Sequence, residues 1–343
     1  MSLVTPLPEN QTETVPSPAW STYRVFGYSL LSDFPFSSGL LPTDSAPALT
    51  FTRVDRAPLE VDWKQSRPVY SSAVRSERGE SVLYLHRLDG CDVLRFTRTA
   101  DFYLWSRRIV CNQLDPALSF LVELRFLGPV LALWMERQRL PALHASAVDI
   151  DGSAVAFLAG NKAGKSSLAA TMMQAGYSLL SDDILAVEKA GNAYLARPAY
   201  PQMRMWPREA QHFLGRVEDL ERVHPALSKR RVPVGGGGFG TYCEESRPLA
   251  RVYLPERSQS RGAAIGPQII PVSSPDAVIE LVRRSFAARL VESIGLAPER
   301  LGFFAGMVQR VPVRRLIYPS DLDQLPRVRE AVLADLQTVR HSG

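Results

Sequence analysis

The stretch that most constrains this chain is residues 155–170, Val-Ala-Phe-Leu-Ala-Gly-Asn-Lys-Ala-Gly-Lys-Ser-Ser-Leu-Ala-Ala. Residues 155–158 form a short apolar run with the character of a buried strand. Residues 166–174 open with small hydroxylated side chains and continue Leu, Ala, Ala, Met, Met, as a helix does. A glycine-containing loop joins the two. A strand, a loop ending in Gly-Lys-Ser and then a helix is the setting of a phosphate-binding loop, because successive backbone N–H groups and the positive helix end converge on a polyphosphate. The expected nucleotide-binding residues are therefore Gly160, Asn161, Lys162, Ala163, Gly164, Lys165, Ser166 and Ser167. In that geometry the Lys165 ammonium reaches the β- and γ-phosphates of ATP, and the Ser166 hydroxyl binds Mg²⁺. One position departs from the full pattern. Ala159 stands where the pattern has glycine, with Gly160 displaced by one, and a methyl group fits there only while φ stays negative.

The chain has 343 residues, 45% of them hydrophobic and 22% charged, enough apolar material for one large or two ordinary domains. Its net charge of +5 is a mild excess that favours anionic partners without calling for nucleic acid. No basic strip interleaved with aromatics marks a nucleic-acid track. We read no apolar run as reaching the roughly 18–20 residues of a membrane-spanning helix, and the first residues are rich in Pro, Thr and Ser instead of basic and then apolar. The expectation is a cytoplasmic protein with no membrane contact. Cys91, Cys111 and Cys243 are widely spaced, which fits reduced thiols and not a Cys-x-x-Cys zinc site.

Along the chain, residues 1–20 read as a flexible tail and residues 21–135 as a β-rich domain ending in a linking helix. Its strand signals are the short aromatic and β-branched runs near residues 23–28, 48–54, 81–86, 92–97 and 102–105. His86 sits in one of them with no second ligand at metal spacing, which gives it a structural role. The helix spans about 116–138, with a kink or break at Gly128-Pro129. A strand over 143–150 and an Asp151-Gly152 turn then lead back into the phosphate-loop strand. Gly176 ends the phosphate-loop helix, and an apolar strand runs into Asp182-Asp183, the place for carboxylates that bind the metal of a nucleotide complex. The plainer alternative is a pair of acids capping a turn.

Three segments in order, His144-Ala-Ser-Ala-Val-Asp-Ile-Asp-Gly, the loop through Gly164-Lys165-Ser166, and Leu180-Ser181-Asp182-Asp183, resemble the C-terminal catalytic domain of HPr kinase/phosphorylase and related kinases, over about residues 127–336. The resemblance implies an α/β fold over residues 136–340: a P-loop kinase core similar to HPr kinase and phosphoenolpyruvate carboxykinase. The Leu-His-Ala-Ser form, and the segment Pro201-Gln-Met-Arg-Met-Trp-Pro, are more similar to the kinases associated with ribosomal peptide modification. Some of those phosphorylate a serine of a precursor peptide, lasso-peptide precursors included. Carried over by motif, Lys165 binds the phosphates, Ser166 and Asp183 bind the metal, Asp182 accepts the proton of the attacking hydroxyl, and His144 steadies the transferred phosphate or tunes Asp182. The founding enzyme's Glu-Arg-Gly-x-Gly signature is missing after Tyr194, where Arg197-Pro-Ala-Tyr-Pro-Gln-Met-Arg stands. One metal contact, the phosphorylase reaction and recognition of HPr are therefore not carried over.

In the distal half, Lys229 and Arg230 precede the run Gly235-Gly-Gly-Gly-Phe-Gly, which reads as a mobile loop able to close its cations over the γ-phosphate. Arg204 is a further candidate for a phosphate or substrate contact. Trp134 and Trp206 read as packing residues. A return strand begins near Arg247, one helix is expected over 275–294, a last strand over 312–318 and a terminal helix over 326–340. The function expected is an ATP- and Mg²⁺-dependent kinase acting on a serine or other hydroxyl of a protein or peptide. The alternatives are an ATP-binding regulatory or assembly protein that transfers nothing and a small-molecule hydroxyl kinase. Whether the chain forms a homo-oligomer is left open.

Overall fold

A computed structural model of the chain describes residues 19–160, 163–258 and 266–340. Residues 21–113 alternate short apolar runs with tight turns, and they build a nine-stranded sheet in the order Leu41–Pro42, Ser21–Val25, Tyr28–Ser32, Leu49–Val54, Arg108–Gln113, Ala100–Leu104, Cys91–Phe96, Leu83–Leu88, Tyr70–Ser71. Four of the five expected strand runs largely coincide with its strands, and the first, residues 23–28, spans a hairpin turn at Phe26-Gly27, both at positive φ. Most neighbours are antiparallel hairpins, with Leu49–Val54 parallel to both of its partners. One face packs Phe51, Leu94 and Phe102 against the helical segment Pro116–Arg137, where Phe51 stacks on Phe126 at 3.8 Å between ring centroids. That segment breaks where Gly128-Pro129 predicted: Ser119–Arg125 and Leu131–Arg137 are α-helical, and Gly128 between them leaves helical space at φ −106°, ψ −113°. By length and hydropathy Pro116–Arg137 is apolar enough to cross a membrane, contrary to our reading of the sequence; two-thirds (67%) of its most apolar window is buried within the protein.

The core beneath the first sheet does not stop at that segment. It runs on through Leu140, Ala142, Ile184, Ala186, Tyr200 and Leu290, all from beyond that segment. Two buried ion pairs tie the linking helix to that later part of the chain. Glu123, which also accepts from Ser37 and Ser38, meets Arg231, and Glu136 meets Arg300. The helical segment Pro116–Arg137 therefore lies between two sheets that share one core.

The second sheet orders Ala142–Leu143, Leu185–Ala190, Ala193–Arg197, Arg247–Ser258, Ser153–Leu158, Ala145–Ile150, Ser178–Ser181, Thr241–Tyr242, and Val313–Pro319 also pairs with Arg247–Ser258. The phosphate-loop strand Ser153–Leu158 is central in it, parallel to Arg247–Ser258 and antiparallel to Ala145–Ile150. Asp151 and Gly152 both take positive φ (50° and 81°), as a two-residue hairpin turn needs. Alternation buries both faces of this strand. Val155 and Phe157 pack with the helices Lys165–Gln174 and Leu325–Arg340, while Ala154, Ala156 and Leu158 pack with Ser274–Arg283 and Ala297–Val308. The result is a mixed α/β fold with helices on both faces of the sheet.

Two expectations for the distal half are corrected. The single helix over 275–294 is two, Ser274–Arg283 and Ala288–Ser293, because residues between them pair with the core: the Arg284 carbonyl accepts from the His144 N–H and the Phe286 N–H donates to Ala142, each at 2.9 Å. The glycine run 235–240 is a packed turn and lies away from the phosphate loop. A Cβ on Gly238 would stand 2.4 Å from the Pro233 carbonyl oxygen, and one on Gly240 would stand 2.9 Å from the Met173 methyl group, at the far end of the phosphate-loop helix from Lys165.

Candidate active site

The phosphate-loop strand ends at Leu158 and the helix starts at Lys165. Ala159 is buried and is not among the positive-φ residues, so the methyl group meets the condition set on it by the missing glycine. Gly164, just before the helix, has φ +92°, and a Cβ there would stand 2.2 Å from the Tyr318 hydroxyl and 3.1 Å from the Arg257 guanidinium. Only glycine fits. The first intrahelical bond runs from the Leu168 N–H to the Gly164 carbonyl at 2.9 Å, which leaves the amides of Lys165, Ser166 and Ser167 without helical partners at the positive end of the helix dipole. Asn161 and Lys162 lie outside the described residues.

Four segments converge on this helix end. His144 comes from the approach to Ala145–Ile150, and Asp182 and Asp183 follow Ser178–Ser181. Arg204 belongs to Gln202–Met205, and Lys229 immediately precedes Arg230–Pro233. The Lys165 ammonium lies 3.0 Å from His144 Nε2 and 3.0 Å from the Gly160 carbonyl. An ammonium can only donate, so Nε2 accepts. His144 Nδ1 then carries the proton and donates to the Asp183 carbonyl at 2.9 Å, with an Asp183 carboxylate oxygen 3.4 Å away. Asp183 is itself at φ +74°, a left-handed conformation that aspartate tolerates and that presents its carbonyl and carboxylate to the same ring. Arg204 Nη1 donates to its other carboxylate oxygen at 2.9 Å.

Asp182 is placed differently. One of its oxygens accepts from Ser166 Oγ at 2.8 Å and from Ser146 Oγ at 2.5 Å, and the other from the Arg204 N–H at 2.9 Å. The acid expected to be the base is thus bound to the hydroxyl expected to hold the metal. Arg204, a candidate phosphate contact, is engaged by Asp183 and by Tyr200 Oη at 3.3 Å. Lys229 lines the cleft, 5.9 Å from the Trp206 ring, but Arg230 does not line it. Successive side chains of an extended segment point to opposite sides, and Arg230 pairs across strands with Met205 instead. Ala163 offers its carbonyl to Tyr318, and Ser167 donates to Glu209 at 3.4 Å.

Several participants were missed in the sequence. Ser146 had a signal, its spacing of two from His144. Trp206, expected to be a packing residue, lines the cleft at the start of the unforeseen helix Pro207–Leu214; Glu209 on that helix had no signal, and neither had Tyr318 and Arg257 from distant strands.

Burial pushes the Lys165 ammonium down to about 8, with Lys229 and Arg284 acting in the same direction, against the pull of Asp183 and Asp182. Burial also acts to raise Asp183, but Arg204, His144, Lys229 and Lys165 together hold its carboxyl below the usual range. Arg204 is driven upward: Tyr200 and the two aspartates outweigh its burial. Lys165, Arg204 and Lys229 thus stand around Asp182 and Asp183, with Glu209 also in the wall of the cleft. Among the described residues no group of three or more His, Cys, Asp or Glu could hold a metal by itself. Mg²⁺ bound with nucleotide needs no such group, because it takes one or two protein oxygens and otherwise phosphates and water. The cleft at the loop is narrow, about 40 Å³, with the Lys165 side chain among its walls.

No family model matches the chain, and no curated protein does. Among solved structures, one described as the Hpr(Ser) kinase/phosphatase from Coxiella burnetii is similar over 59% of this chain and 99% of its own, at 12% identity and a TM-score of 0.30. With identity and overlap this low, the functional reading rests on the geometry of the site.

Proposed function

We propose that the chain is an ATP- and Mg²⁺-dependent kinase that transfers the γ-phosphoryl group to a serine or similar hydroxyl of a protein or peptide. The observation that carries this reading is the convergence of His144, Lys165, Ser166, Asp182 and Asp183 on one helix N-terminus. Simple nucleotide binding needs the loop and its lysine. It does not need a histidine bonded to that lysine, an acid bonded to Ser166 and a second acid bonded to the histidine. The ground for a purely ATP-binding protein was Ala159, and its backbone accommodates the methyl group.

The free amides of Lys165, Ser166 and Ser167 and the Lys165 ammonium would hold the phosphates; Ser166 with Asp182 would hold Mg²⁺, which supplies charge neutralisation at the phosphates. The hydrogen bond between Ser166 and Asp182 supports exchanging the two acids' expected roles. Asp182 then supports the metal, and Asp183 faces the acceptor hydroxyl. In the transfer the hydroxyl oxygen bonds to the γ-phosphorus and the bond from that phosphorus to the bridging oxygen breaks. Its electron pair leaves with ADP, and the hydroxyl proton passes to Asp183. The low basicity of Asp183 is compatible with this role, because a loose phosphoryl-transfer transition state asks little of the base beyond position. His144, donating to the Asp183 carbonyl and accepting from Lys165, fixes the lysine and the acid relative to each other.

The test is phosphorylation of serine-containing peptides with labelled ATP. Lys165→Ala that folds normally and transfers phosphate as fast as the unaltered protein would refute the reading.

A further inference from the structure

Beside the loop lies a second space, a cavity of about 430 Å³ whose walls include His144, Gly160, Glu280, Arg283, Arg284 and Phe286, within the size range of ligand sites. We infer that this cavity is the acceptor site and that it selects a serine flanked by carboxylates on an extended peptide; the inference rests on the kinase reading above.

Position comes first. A phosphate-loop lysine marks the β,γ end of a bound triphosphate. Here the Lys165 ammonium touches His144 and the Gly160 carbonyl, and both of those residues also line the cavity. The cavity therefore opens at the end where the γ-phosphate and its acceptor must meet. The narrow cleft that Lys165 shares with Trp206, Glu209 and Lys229 is left for the nucleotide.

Charge comes second. Glu280 pairs with Arg283 at 3.2 Å and with Arg284 at 2.8 Å, so two guanidinium groups share one carboxylate and one positive charge is left over. Arg284 binds Glu280 through Nε, while its Nη1 lies 4.0 Å from where a Gly160 Cβ would be, turned toward the loop. Arg283 stands at the rim with 71% of its side chain exposed. The break in the helix puts them there: the Arg284 carbonyl holds the His144 N–H, and Phe286 meets the His144 ring edge-on at 5.7 Å between centroids. One turn before Arg283 on the same helix, Ile279 is 53% exposed, which continues the surface outward as an extended peptide needs and a small acceptor does not.

Three short peptides identical except for the residues beside a central serine test this, with Asp and Glu, Ala and Gln, or Lys as flanks, using the full chain and Mg-ATP. The acidic peptide is expected to show a kcat/KM about tenfold above the neutral one, with the lysine peptide lowest, and the spread should shrink as salt rises from about 50 to 500 mM. Arg283→Glu, at an exposed position, should raise KM for the acidic peptide and lower it for the lysine peptide. Equal kcat/KM for all three would overturn the acceptor assignment alone, whereas no transfer to any of them while a fluorescent ATP analogue binds would overturn the kinase reading as well. Loss of nucleotide binding in the unaltered protein would overturn the kinase reading, and the acceptor assignment with it.

Discussion

Raising the pH should loosen the grip of this protein on ATP, well below the pH at which a lysine ordinarily loses its charge. In the free protein Lys165 titrates near 8 because it is buried; bound phosphates would restore its ordinary affinity for a proton. If binding requires the charged ammonium, affinity falls as the free lysine deprotonates. With a free value of about 8 and a bound value near 10.5, Kd should rise about twentyfold between pH 7.5 and 9.5, whereas an unshifted lysine would give a change of only about 10%. Near pH 9 each nucleotide bound should take up about 0.9 proton, which calorimetry in two buffers of different ionisation enthalpy reads directly. Lys165→Met should bind at least about tenfold more weakly at pH 7.5 and show no such pH slope. The sign of the stability effect is opposite. A lysine whose folded value is depressed destabilises the nucleotide-free fold wherever it is charged, so that cost is present at pH 7 and fades as pH rises from about 8 to 10.5. Lys165→Met should thus stabilise the empty protein by about 2–3 kcal/mol at pH 7 in urea unfolding. A Kd that stays flat from pH 7.5 to 9.5 would refute the reasoning from burial to binding.

Asp183→Asn should leave ATP affinity within about threefold and lower turnover by a factor of about 100 or more, whereas Asp182→Asn should chiefly raise the Mg²⁺ concentration needed for half-maximal rate; the opposite pattern in a metal titration restores the roles first expected. Gly164→Ala should cost about 1–3 kcal/mol through its positive φ, plus the clash with Tyr318, and Tyr318→Phe should recover part of the loss in urea unfolding because it removes the hydroxyl that the methyl group would meet. Arg231→Met leaves Glu123 buried with only its serine donors and should destabilise by about 3–5 kcal/mol, with much of this regained in the double variant that also carries Glu123→Gln. Chelation of Mg²⁺ should stop transfer, followed with labelled ATP.

The parts of the site legible in the sequence were those set by neighbours along the chain. An apolar strand, a glycine at positive φ and a helix start are local events, and so is a pair of acids at a strand end. The setting of Asp182 was not local: Ser146 and the Arg204 amide reach it from other strands. The helix over 275–294 kept its apolar spacing across residues 284–287, so periodicity carried it straight through a break imposed by backbone pairing with His144 and Ala142. The glycine run read as slack because glycine permits slack. Packing against Met173 and the Pro233 carbonyl uses the same permissiveness to make a close turn.

The core shared across the linking helix bears on how this protein can be cut. Trimming the chain to residues 136 onward would strip Leu290, Tyr200 and Ala142 of the aromatic layer around Phe51 and Phe126, and would leave Arg231 buried without Glu123. The amino-terminal sheet is accordingly less an attachment to the second sheet than its floor, and a shortened chain that is to fold should keep the whole of it, from Ser21.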